Sequence, residues 1–158
     1  MTIRISEIPF DPWMEVSQQH SKRLQQKHDC GATSVFVGTM RDFNENSNVS
    51  SMFLEHYPGM TESQLEQIVN QAEQRWVILD TLIIHRVGDI YPADAIVLVA
   101  IWASHRGDAF DASRFIMEEL KHNAPFWKKE TLGKTENSRW VAGNTDGYTS
   151  IQTGKTSS

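Results

Sequence analysis

A chain of 158 residues, 39% apolar and 22% charged, is long enough for one domain to bury a real core, roughly two-thirds of its unfolded surface at this size. Its 20 acidic residues against 15 Lys and Arg give a net charge of -5. That balance argues against a general nucleic-acid or membrane-surface binder, which presents a basic face, so any anion site must be a local pocket.

Met1 to Phe10 lacks the basic start and apolar middle of a secretory signal. Its alternation of Ile3, Ile5 and Ile8 with polar residues reads as a first strand over Thr2 to Ile8. Asp11-Pro12 is a helix start, with Asp as N-cap and Pro at the first helical position. Trp13, Val16, His20 and Leu24 carry that helix to about Lys27. Cys30 is the single cysteine, which excludes an internal disulfide and predicts a reducing, cytoplasmic compartment. Cys30 to Met40 is a β-branched, aromatic strand, and the Asn-rich stretch Arg41 to Ser50 reads as a mobile loop.

Ser51 to Tyr57 predicts a strand with Met52, Leu54 and His56 on one side. Pro58-Gly59 ends it, and Thr61 with Gln64 resembles a capping box before the helical stripe Leu65, Ile68, Val69, Ala72 and Trp76. Val77 to Val87 is a strand, followed by a turn over Gly88 to Pro92. Ala95 to Ala103, apolar at every position, predicts a central strand covered on both faces; it is about half as long as a membrane span. Asp108 is the expected cap of a third helix with Ala109, Ala112, Ile116 and Leu120 facing inward, ended by Pro125. Phe126 to Leu132 reads as extended and Arg139 to Ala142 as a last strand. Three helices interleaved with strands and hairpins give an α+β fold with a mixed sheet. A single domain is expected over residues 1–143, with a flexible tail over 144–158.

The basic side chains His105, Arg106, Lys121, Lys128 and Lys129 fall within one stretch of an otherwise acidic chain. His105-Arg106 lies between a strand's end and a helix's start, where free N–H groups, the helix dipole and a guanidinium fork suit phosphate or carboxylate. Arg106 paired with Asp108 or Asp111 on the surface is the plainer alternative. Lys121 and Lys128 are separated by a proline turn able to fold one toward the other, and paired ammonium groups serve as acid or base near neutral pH; a solvated surface lysine is the alternative for each. Gly38-Thr39-Met40-Arg41 could present N–H groups and a guanidinium to an anion, or form an ordinary turn. His85-Arg86 reads as structural. No metal-ligand spacing, phosphate loop or dinucleotide motif is present, so no metal or cofactor is expected. These residues leave open a non-catalytic module that binds a partner's C-terminal tail, or an enzyme acting on a phosphorylated metabolite.

Taken in order, GATSVFVGTMRD, LEHYPGM, IIHRVGDI, SHRGDAFDA, LKHNAPFWKKE and SRW, spanning Gly31 to Trp140, resemble the large catalytic subunit of molybdopterin synthase, the MoaE family. That resemblance implies an α/β hammerhead fold and a sulfurtransferase that converts cyclic pyranopterin monophosphate to molybdopterin by installing a dithiolene. It implies a small ubiquitin-like sulfur-carrier subunit, whose thiocarboxylated Gly-Gly tail threads into the pocket, and a homodimer at the centre of a heterotetramer. Carried over by position, Lys121 and Lys128 would be catalytic. Arg41, His105 and Arg106 would hold the pterin phosphate, with Thr39 and Met40 lining the pocket and Lys129 and Glu130 beside the catalytic pair. Family members often carry an arginine shortly after the SRW-type tryptophan, reaching the neighbouring subunit's pocket. Here Trp140 is followed by VAGNTDG, with no base before Lys155, which leaves Arg139 as its substitute or a differently built pocket.

Overall fold

The computed structural model describes residues 1–44, 47–132 and 137–141. Asp11 caps the first helix as its chemistry predicts: Oδ1 accepts from the N–H groups of Trp13 (2.9 Å) and Met14 (3.2 Å), with Pro12 at the first helical position. This helix, α1 (Pro12–Leu24), follows strand β1 (Thr2–Ser6) and precedes β2 (Ala32–Thr39). Of its expected inward stripe, Val16 packs on the core and His20 Nδ1 accepts from the indole N–H of Trp102 at 3.0 Å, while Trp13 and Leu24 stay exposed.

The apolar strand β7 (Ala95–Ala103) is central, between β5 (Ile78–Arg86) and β2, in a sheet ordered β1-β5-β7-β2. β1 runs parallel to β5; the other pairings are antiparallel. Alternate residues of β7 face opposite layers. Val97, Val99 and Ile101 pack with Leu65, Ile68, Val69 and Ala72 of α2 (Met60–Glu73) and with Ala112, Ile116 and Leu120 of α3 (Arg106–Asn123). Leu98, Ala100 and Trp102 pack under Phe10 and Val16. A strand covered on both faces must be apolar throughout, which is why its sequence carries no alternation.

A second sheet holds β3 (Phe43–Asn44), β4 (Ser47–His56), β8 (Phe126–Leu132) and β9 (Asn137–Val141), with β6 (Gly88–Ile90) paired to the middle of β4. The expected single mixed sheet is therefore two. Met40, Met52, Leu54 and Ile90 form a small core beneath the second one, with Ile96 packed against it.

Three local expectations are corrected. The stretch expected as a mobile loop, Arg41 to Ser50, contains β3 and the start of β4, whose backbones pair antiparallel as a short hairpin. The second helix starts at Met60, with Gly59 as N-cap; Glu62, not Gln64, accepts from the Gly59 N–H at 2.7 Å, and Thr61 Oγ1 accepts from the Tyr57 N–H. The third helix starts at Arg106 with His105 as N-cap, three residues before the expected cap Asp108, which instead places its carboxylate in the first turn. Among the described residues no helix is long and apolar enough to cross a membrane. The expected tail, 144–158, lies outside the described residues.

Candidate active site

α3 determines which basic residues meet. Only Ser104 and His105 separate it from β7, so the helix turns straight back along the sheet. Its 18 residues span roughly 27 Å, which puts its two ends at opposite edges of the layer. His105 and Arg106, both exposed, occupy the first end, where Ala103 pairs with Ala32 at the start of β2. Lys121 lies in the last turn, at the end where β2 finishes: Thr39 pairs with Ala95, and Arg41 follows. The anticipated grouping of Arg41 with His105 and Arg106 is thus not made within one chain, because β2 and β7 run antiparallel. The structure brings Arg41, Lys121 and the strand bearing Lys128 to one end and leaves the His-Arg pair at the other.

Within that end, Thr39 and Arg41 are exposed, whereas Met40 is 6% exposed and belongs to the small core. The Met40 N–H donates to Asp94 O and its carbonyl accepts from the Ala93 N–H, both at 2.9 Å, so this turn does not offer that N–H to an anion.

β8 alternates its side chains across the second sheet. Phe126 and Lys128 stand opposite His56 and Leu54 of β4, on the side of the buried Leu54. Trp127 and Lys129 stand opposite Glu55 and Phe53 on the other side, where Trp127 and Phe53 are exposed and Tyr57 meets Trp127 edge-on at 4.5 Å. Lys128 and Lys129, adjacent in sequence, therefore face different surroundings, and only Lys128 points with the inner row. Lys121 and Lys128 are half-buried, a setting in which an ammonium keeps solvent while its stem packs. The side chains of Glu130 and Arg139 lie outside those described.

The joint between α3 and β8 is held by a residue that sequence reasoning treated as structural only. His85, at the end of β5, stacks on Phe126 with ring centroids 3.8 Å apart and planes 12° from parallel, and Nδ1 lies 2.8 Å from the Arg86 carbonyl, placing the proton on Nδ1. Burial pushes its pKa down to about 4, against the opposing effect of the Arg86 carbonyl and with a further lowering by His56, so the ring is neutral at pH 7. Its signal was available in the strand's alternation, which sends Ile83 and His85 toward α2 and α3. Among the described residues, no three His, Cys, Asp or Glu side chains gather as metal ligands.

The model of the MoaE protein family matches residues 11–123. The chain belongs to the MoaE family. A molybdopterin synthase catalytic subunit from Ralstonia nicotianae is 51% identical over 140 residues, covering 89% of this chain and 76% of that one. Another from Haemophilus ducreyi is 46% identical over 141 residues, covering 88% and 87%. The solved MoaE protein from Burkholderia ambifaria superposes with a TM-score of 0.74 at 49% identity, covering 92% of each chain. The α+β architecture of three helices and two sheets is thus the fold of MoaE proteins.

Proposed function

We propose that this chain is the catalytic subunit of molybdopterin synthase and moves sulfur from the thiocarboxylated C-terminus of a small ubiquitin-like subunit to cyclic pyranopterin monophosphate. The observation that carries the reading is family membership over most of the chain, joined to the gathering of Arg41, Lys121 and Lys128 at one end of the fold. Each transfer makes a carbon–sulfur bond at a pterin side-chain carbon as a carbon–oxygen bond at that carbon breaks, and it breaks the acyl carbon–sulfur bond with water restoring the carboxylate, so one dithiolene consumes two thiocarboxylates. Lys121 and Lys128 neutralise and polarise the thiocarboxylate and move protons as the acyl group departs, a role suited to paired ammonium groups. Arg41 takes the pterin phosphate as a planar fork, with Thr39 at the rim and Glu130 two residues along β8 from Lys128. Lys129, across the strand, has no part in this pocket.

In this reading the phosphate site is completed by a second copy of the chain. His105 and Arg106, at the free end of α3, reach the Arg41 end of the partner in a homodimer, with one small subunit on each site. Symmetry then gives two equivalent composite pockets. The lone unpaired cysteine suits a cytoplasmic setting.

The deciding experiment reconstitutes this protein with cyclic pyranopterin monophosphate and a thiocarboxylated small subunit, reading the dithiolene product through its oxidised fluorescent derivative. Product formation is expected, with Lys121→Ala and Lys128→Ala each slowing it by about 10²- to 10⁴-fold while the circular dichroism spectrum is unchanged. A full-rate Lys121→Ala enzyme would overturn the catalytic assignment. Tight capture of the small subunit without product would favour a tail-binding module instead.

A further inference from the structure

His85 and Arg86 close β5 where the chain leaves the first sheet for the second, and both side chains are buried. We propose that this dipeptide positions Lys128 against Lys121, through two separate contacts that bracket the lysine on β8. The proposal rests on the catalytic reading of those lysines given above.

The first contact is the stack of His85 on Phe126. Phe126 is the first residue of β8 after the Ala124-Pro125 break and lies two before Lys128 on the same face. The stack therefore pins the strand at the point where it leaves α3, the helix that carries Lys121. The hydrogen bond from Nδ1 to the Arg86 carbonyl at 2.8 Å fixes the plane of the ring, which leaves the stack only by breaking a buried bond.

The second contact runs through Arg86. Its Nη2 donates to the Asp89 carbonyl at 2.6 Å, bridging Gly88, which holds the left-handed φ of +78° that a residue with a Cβ adopts only with strain. Gly88 stands opposite Leu54 on β4, and Leu54 stands opposite Lys128 on β8, so turn and lysine share one rung of the second sheet. Arg86 is 2% exposed, and among the described residues its Nε and Nη1 have no hydrogen-bond partner. Burying a guanidinium with so few bonds is unfavourable, and an apolar side chain of similar volume would pack there at lower cost. What the arginine supplies is the clasp on the turn, and through the turn the height of the Lys128 rung.

The test uses three variants of the full chain: His85→Ala, which removes the stack; His85→Phe, which keeps a ring on Phe126; and Arg86→Met, which keeps volume and loses the clasp. Two quantities are read for each, alongside its thermal unfolding midpoint. One is kcat and KM for the pterin in the reconstituted reaction. The other is the competitive acetylation of Lys128 relative to Lys129 by mass spectrometry, which needs no activity and uses the neighbour on the opposite face as reference. His85→Ala and Arg86→Met are expected to lower kcat by about 10²-fold with KM changed less than about twofold, the signature of misplaced reacting groups, and His85→Phe to recover at least tenfold of the loss. The Lys128:Lys129 ratio should shift severalfold in the same two variants and return toward the parent value in His85→Phe. An unchanged ratio in folded His85→Ala and Arg86→Met overturns the proposal, as does a kcat loss that only follows the folded fraction. Should His85→Ala fail to fold, Arg86→Met decides by the same ratio. A full-rate Lys128→Ala enzyme would remove the catalytic reading yet leave the acetylation ratios to decide the positioning.

Discussion

A histidine kept neutral by burial makes stability depend on acid in a defined window. The His85 pKa is about 4 in the folded chain against the ordinary 6.5, so between those values the unfolded state takes up a proton that the folded state refuses. Stability is then unaffected by this group above pH 6.5 and is lost as pH falls from 6.5 toward 4. The loss between pH 7 and pH 4.5 is expected to be about 2–3 kcal/mol greater in the parent than in His85→Phe, which has no proton to gain. Urea unfolding midpoints of the two proteins at both pH values check this; parallel curves would show that His85 does not carry the acid sensitivity. His56, the titratable neighbour that also lowers the His85 value, is present in both and cancels in the difference. At this scale the sequence was informative about residue type and silent about surroundings. Arg41 and Met40 are adjacent, yet one is exposed and the other is core, because Met40 alone meets Met52, Leu54 and Ile90.

Among the elements, the junction of β7 with α3 is the one most tightly shaped by a neighbour. Gly31, just before β2, donates its N–H to Ala103 O at 3.1 Å, and a Cβ at that position would lie 2.3 Å from the Ser104 carbonyl oxygen. Gly31→Ala must therefore push back the backbone that leads into His105 and Arg106. It is expected to destabilise the fold by about 1–3 kcal/mol, seen as a lowered thermal midpoint, and to raise KM for the pterin more than it lowers kcat. An alanine variant with the parent's midpoint and KM would mean that the junction relaxes freely. Elements were legible where one residue's chemistry dictates them: Asp11-Pro12 as a cap, Pro125 as a stop, nine apolar residues as a strand covered on both sides. They were not legible where the backbone alone does the work. The hairpin of β3 and β4 has no apolar alternation to announce it, and His105 begins a helix without any side-chain cap bond.

For the molecule as a whole, Arg106 at the start of α3 and Lys128 on the strand beyond its other end, together with the proposed composite pocket, predict complementation between inactive chains. Arg106→Ala and Lys128→Ala proteins, each nearly inactive alone, should regain about a quarter of the parent activity when unfolded and refolded together, since half the dimers are mixed and each holds one intact pocket. No recovery on mixing would mean that each pocket is built from a single chain. The motifs announced these basic residues but not their grouping, which follows from β2 and β7 running antiparallel, a pairing between distant segments that no local pattern carries. Distance along the chain also governs how the fold closes. Thr2 of β1 pairs with Leu82 of β5, about eighty residues on, whereas β5 and β7 are joined through a short connection. The hairpin of β5 and β7 thus forms early and locally, and β1 docks only after the intervening helices and strands have collapsed, so its parallel edge is a late, slow step of folding and the first to open when the native sheet frays.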